Sequence, residues 1–243
     1  MRRFRTWRLK NRRRARSTAA VLIVAGGVAV CLAACQTVPG EAPRVEAPPS
    51  SVLPGPGTSA PAPSASTPAP TKPPALSAEA QARLDQGLIA AAKANNVALV
   101  AELIGRGGSV NAKDAIQDSA FLYAGAEGFN EVLQLTLAAG ADVASTNRYG
   151  GTALIPASEH GHVETVRILL AEGVPVNHVN NLGWTAMQEA ILLNDGGPRQ
   201  QEVVRLLLEA GGDPNIRDPE GRTALQNAER LGFAEIANLI RDR

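Results

Sequence analysis

The feature that most constrains this chain is an interval. Ser119, Thr152, Thr185 and Thr223 each stand before an apolar run, spaced 33, 33 and 38 residues apart. Gly107, Gly140, Gly173 and Gly211 each follow a second apolar run, with the same spacing of 33, 33 and 38. Two independent markers thus share one period and one enlargement, as expected of an array of copies of a single unit. The clearest copy is Asn147 to Asn180. Thr152 sits there as a helix N-cap would, and Gly161 breaks the first apolar run. Val163, Val166, Leu169 and Leu170 recur with helical spacing. Gly173 then falls where a left-handed C-cap belongs. The unit reads as helix, short turn, helix, extended loop.

The cap residues open the strings T-A-L-I-P-A (152–157), T-A-M-Q-E-A (185–190) and T-A-L-Q-N-A (223–228), with S-A-F-L-Y-A (119–124) as a weaker copy. Together with the run G-H-V-E-T-V-R-I-L-L-A-E-G, they resemble the ankyrin repeat, whose signature is T-P-L-H-x-A. The resemblance covers residues 80–243 and implies an all-α fold, an ankyrin-repeat solenoid of about five helix-turn-helix repeats with β-turn fingers. The expected repeats are 80–113, 114–146, 147–180, 181–217 and 218–243, within a domain spanning 77–243. Ala stands for Pro at the second motif position and no copy has His at the fourth, which predicts weaker hydrogen bonding at the helix starts.

Each copy carries a local signature. In the first, Gln86 takes the cap position and Asn95 the inter-helix glycine position, while Ser77-Ala78-Glu79-Ala80 predicts an early helix start. In the second, Gln117 replaces a turn glycine, predicting a less regular finger; Thr136 stands at an apolar position, and Phe121 is expected in the core. Pro156 in the third borders the first turn, so a distorted helix start is expected there. The five extra residues of the fourth, Asn194 to Pro198, read as a loop, either a tolerated insertion or a contact loop. The fifth presents Ile236, Leu239 and Ile240 inward and is otherwise polar, as an end cap should be.

The N-terminus differs. Residues 1–34 hold nine basic and no acidic residues, followed by an apolar run from Ala19 to Ala34. That run is shorter than the ~20 apolar residues of a membrane span, and the pattern is that of a secretory signal. Leu32-Ala33-Ala34-Cys35 resembles a bacterial lipobox, which implies cleavage before Cys35 and a diacylglycerol on its sulfur. Gln36 after it implies, by the same analogy, the outer rather than the inner membrane of a cell envelope, with the repeats on the periplasmic side. An uncleaved anchor is the alternative, and it exports the same residues. The apolar run argues against a nucleic-acid-binding arm, and the paired arginines lack the apolar residues a twin-arginine signal needs. After Cys35, the 36–76 segment holds 12 of the chain's 17 prolines and is expected to be a disordered linker of polyproline II character.

Without residues 1–34, the chain carries 15 basic and 23 acidic residues, a net −8. That balance disfavours a phosphate backbone as partner. Cys31 and Cys35 are the only cysteines, so neither a disulfide framework nor a zinc–thiolate site is expected. His160, His162 and His178 match no metal-ligand spacing. Ser158 near His160 lacks a glycine-flanked nucleophile turn. The chain is therefore read as a non-enzyme, without cofactor or metal.

The resemblance implies a partner-binding surface of finger tips and exposed first-helix sides. Carried over by position, it comprises Arg148, Tyr149, Glu159, His160, Leu182, Trp184, Leu192, Leu193, Arg222 and Arg230, with Asn181 and Glu220 beside them. Tyr149 and Trp184 stand out because aromatic residues and arginines dominate binding hot spots, although Trp184 could instead pack on its own finger. The reading is an envelope-anchored lipoprotein whose repeat domain, expected to be monomeric, is a protein-binding scaffold; the alternative is a structural spacer or protective scaffold without a single tight partner.

Overall fold

A computed structural model describes residues 76–243; the expected export signal, Cys35 and the expected linker up to residue 75 lie outside the described residues. Among the described residues there are ten helices and no strand. They are α1 (Ala78–Lys93), α2 (Val97–Gly105), α3 (Ala120–Glu127), α4 (Asn130–Ala138), α5 (Leu154–Glu159), α6 (Val163–Ala171), α7 (Ala186–Leu192), α8 (Pro198–Glu209), α9 (Ala224–Leu231) and α10 (Ala234–Arg241). Consecutive helices pack as five hairpins. First helices stack on first helices in the order α1, α3, α5, α7, α9. In the second layer α2 packs on α4, α6 on α8 and α8 on α10, while α4 and α6 approach each other least. The fold is an α-solenoid of two layers.

Burial follows the helical period. Phe121, Leu88, Leu133, Leu154, Leu169, Ile191, Leu207 and Ile236 are fully buried, drawn from all five hairpins. Each such side chain stabilises by about 1.5–3 kcal/mol relative to exposure, and much of its cover comes from the adjacent repeat. Phe121 and Ile236 thus occupy the core as expected. Thr136 is buried too, its hydroxyl donating to the Leu133 carbonyl at 2.7 Å.

The glycine marker has a physical basis. Gly107, Gly140, Gly173 and Gly211 lie at φ between 78 and 92°. The next amide in each case reaches back to close the helix, as Val174 does to Leu169 O at 3.1 Å and Gly212 to Leu207 O at 2.8 Å. This is the left-handed helix stop that side chains resist.

Helix starts depart from expectation in both directions. Thr185 and Thr223 form full capping boxes with Gln188 and Gln226, so glutamine at the fourth motif position restores the bonding that its histidine would supply. Gln188 also donates to Ile216 O in the next finger, at 2.7 Å. Thr152, by contrast, does not cap. Its hydroxyl is buried without a hydrogen-bond partner among the described residues, and the helix begins after Ala153. Pro156 is the cause. At the matching position Glu189 N donates to Thr185 O at 3.0 Å, whereas Pro156 has no N–H; Ile155 N takes Thr152 O instead, at 3.2 Å. The expected distortion is therefore local and leaves α5 short.

Ser77 caps α1 by accepting from Ala80 N, confirming the early start. The finger of the second repeat corrects another expectation. Gln117 sits at φ 63°, yet Asp114 N still donates to Asp118 O and Gln117 N to Asp114 O, both at 2.9 Å. The Asn147 finger closes with the same pair of bonds. Gln117 adopts the glycine conformation at a cost and the finger stays regular.

The insertion is not simply a loop. Pro198 is the first residue of α8, where its missing N–H costs nothing. Asn194 Nδ2 donates to Glu159 O at 2.7 Å, in the preceding repeat. A side chain at Gly196 would run into the Phe233 ring in the following repeat. Residues 193–197 are a strap across three repeats.

Candidate functional site: finger tips and the first-helix face

Each finger is built around an Asp or Asn. Asn147 Oδ1 accepts from Tyr149 N at 2.9 Å and Gly151 N at 3.1 Å, and Asn180 Oδ1 accepts from Leu182 N and Trp184 N in the same way. Asp114 and Asp218 repeat the device. Adjacent fingers are laced together. Lys113 Nζ donates to Thr146 O at 2.7 Å, Asn181 N to Tyr149 O at 2.9 Å, and His178 Nε2 to Gly150 O at 2.6 Å. A rigid, rigidly spaced row of tips results.

The tip residue of each finger is the third: Ile116, Tyr149, Leu182 and Glu220. The first three are exposed by 50%, 42% and 39%, and Val179 beside them by 44%. Large apolar side chains in water at equivalent positions of three consecutive fingers form a continuous apolar row. Arg148 lies over the Tyr149 ring, 4.8 Å from its centroid, and fixes the ring's face. Below the tips, the first helices present His160, exposed, with Glu159, Leu192 and Leu193 half-buried. Among the described residues no group of His, Cys, Asp and Glu is placed to hold a metal ion.

A family model for ankyrin repeats, in three copies, matches residues 121–218. A crystal structure of an ankyrin repeat domain from Acinetobacter baumannii AYE is 57% identical, with a TM-score of 0.63 over 64% of this chain and 79% of that one. The chain belongs to the ankyrin-repeat family. The structure of the ankyrin repeat protein EF0377 is 40% identical, with a TM-score of 0.61 over 63% of this chain and 78% of that one. The ankyrin repeat protein YahD of Escherichia coli K12 is 54% identical over 52 residues, 21% of this chain. That match spans about a quarter of YahD, 26%.

Within this ankyrin frame the expected contact residues separate into three groups. Tyr149, Leu182 and His160 are exposed, the first two on adjacent finger tips and His160 at the far end of α5. His160 Nδ1 donates to Ala126 O at 2.8 Å, which orients its ring. The arginines are committed within the fold. Arg148 Nη1 donates to both carboxylate oxygens of Asp118, at 3.1 and 3.2 Å. Arg222 meets Asp218 at 3.1 Å and Glu220 at 3.0 Å, and Arg230 donates to Asn227 at 3.2 Å. They shape the ankyrin fingers and are not free cations.

Trp184 is a correction: the ring is buried, with 6% exposed. It aligns with Gly151, at the finger's base, rather than with Tyr149 at its tip. Its backbone is bonded at both ends to Asn180, which turns the side chain inward. Ile116 was missed, although subtracting 33 from Tyr149 gives that position directly.

Proposed function

We propose that this protein is an envelope lipoprotein, held by a diacylglycerol on Cys35, whose ankyrin fingers and adjoining first-helix face bind a protein partner. The observation that carries the reading is the row Ile116, Tyr149 and Leu182, apolar and exposed on fingers that hydrogen bonds hold in place. Side chains this exposed add little to the core, and an aromatic anchor held in place by Arg148 beside apolar neighbours is the usual make-up of a binding hot spot. Lipidation rests on the Leu32–Cys35 string and the basic, apolar segment before it.

Photo-crosslinking from position 149 in intact cells, with identification of the attached protein, tests the binding half. Replacing Ile116, Tyr149 and Leu182 together by Ser is expected to leave the melting temperature within a few degrees, because the tips are exposed. Partner capture should drop by at least about tenfold. Unchanged capture would return the spacer reading. Run with Cys35→Ala, the same experiment separates anchoring from binding: unprocessed precursor is expected, and parent-like fractionation and lipid labelling would remove the anchor.

A further inference from the structure

The boundary between repeats 3 and 4 holds two carboxyl groups where a solenoid interface normally places apolar or paired groups. Glu189, in the middle of α7, is 6% exposed. Its polar contact is the Asn180 side-chain amide, which donates to Oε1 at 2.7 Å. Glu159, at the end of α5, bears electrostatically on it across the boundary, where Asn194 touches the backbone of both acids, and is itself half-buried. Among the described residues no Lys or Arg compensates either group. Beyond Glu159 the series continues with His160, whose ring lies 5.5 Å from that of His162. The strap closes over this place: Asn194 Nδ2 bonds Glu159 O at 2.7 Å, Ala190 O at 3.3 Å and Glu189 O at 3.5 Å. One side chain thus ties the end of α5 to the last turn of α7 through the main-chain carbonyls of both acids.

We propose that this boundary is a proton-responsive latch: Glu189 as a neutral acid lets α5 and α7 close under the Asn194 strap, and Glu189 as a carboxylate repels Glu159 and releases the strap. Two buried, uncompensated carboxylates cannot both ionise cheaply. The charged groups around Glu189 are few. The first-helix neighbour α5 brings Glu159 with His160 beside it. Arg199 on α8 bears on His162 instead, and on α9 Arg230 is engaged with Asn227. Burial first, and Glu159 second, push Glu189 up to about 8, against the hydrogen bond from Asn180.

The pH dependence has a definite sign. An acid whose pKa is raised in the closed state stabilises that state at low pH, and the advantage is lost as pH climbs from the ordinary carboxyl value to the raised one. His162, held down to about 4 by burial, by His160 and by Arg199, works oppositely, but only below its ordinary 6.5. Above pH 6.5 His162 no longer opposes, and the profile takes the sign of Glu189, with Glu159, also raised by burial, acting in the same direction.

Amide hydrogen exchange across residues 186–197 of the full chain, with intrinsic base catalysis divided out, tests the latch. The local opening constant is expected to rise about tenfold per pH unit from 6.5 to 8 and level off above. Emission from Trp184, next to Asn180, should change in step. Glu189→Gln keeps an acceptor for Asn180 and is expected to flatten both curves. Should that variant not fold, Glu159→Gln, by removing the repulsion, is expected to move the plateau to lower pH. A flat profile in the parent chain, a slope that survives Glu189→Gln, or the same slope in all five repeats overturns the proposal.

Discussion

Gln117 holds φ 63°, a conformation in which a Cβ is crowded by its own backbone. The cost for a residue other than glycine is roughly 1–2 kcal/mol, partly offset by the entropy that glycine would lose on folding. Gln117 is exposed and the finger's hydrogen bonds are backbone ones. Gln117→Gly should therefore stabilise the chain by about 0.5–1 kcal/mol, read as a shift of the urea midpoint at unchanged slope. A loss of stability would mean that the side chain makes contacts worth more than the strain. Asn95, at φ 52°, faces the same demand more cheaply, since asparagine tolerates this region. Single residues also mark the limits of reading the sequence. Pro156 announced its distortion because a missing N–H is a covalent fact. Trp184 did not announce its burial, because the side of a five-residue finger on which a ring lies depends on the Asn180 bonds around it.

At the scale of elements, the helix-stop loops are clamped by side chains from an earlier segment. Asn111 donates to Gly140 O at 3.0 Å and accepts from Asp142 N at 2.8 Å. Asn177 does the same with Gly211 O and Asp213 N, at 3.1 and 2.7 Å. In the first repeat, Gln81 and Asp85 on α1 supply both bonds, to Gly107 O and from Ser109 N. The position between Asn111 and Asn177 is Ala144, and the loop it faces carries Pro175 where an N–H is needed. Neither half of the clamp exists there. Ala144→Asn with Pro175→Asp should restore it, with a coupling of about 0.5–1.5 kcal/mol between the two substitutions. A thermodynamic cycle over both single variants and the pair checks this, and strict additivity would count against it. The helices themselves were legible from period and caps, since both are local. The clamps were not, because they join residues about one repeat apart whose meeting requires the stack. Pattern alone did place the two Asn residues at equivalent positions.

The molecule as a whole is held by neighbour contacts, and no single centre carries it. Leu169 is fully buried in the middle hairpin. Leu169→Ala should cost roughly 2–5 kcal/mol. The loss should spread, with amide protection falling in α4 and α8 as well as in α6 while α1 keeps most of its own. Equal loss in all ten helices would describe one indivisible unit instead. Among the described residues no helix is long and apolar enough to cross a membrane. The repeat count and order were read from two glycine and threonine series. The apolar row on the fingers was only half read, because exposure is a property of the assembled stack.

The missing clamp at Ala144 and Pro175 lies where the second-helix layer is also at its loosest, between α4 and α6. On the opposite edge the fingers that open these two repeats are bound by Lys113 to Thr146 and by Arg148 to Asp118. The arrangement is that of a book, stitched closely along one spine and held more sparingly along the other side, where the Thr165 hydroxyl of α6 donates to Asn130 Oδ1 of α4 at 2.7 Å. Bending should cost least about that spine, so this boundary is where a change of curvature would be expected first. A stack built this way would change its radius without losing the ruler that its fingers form.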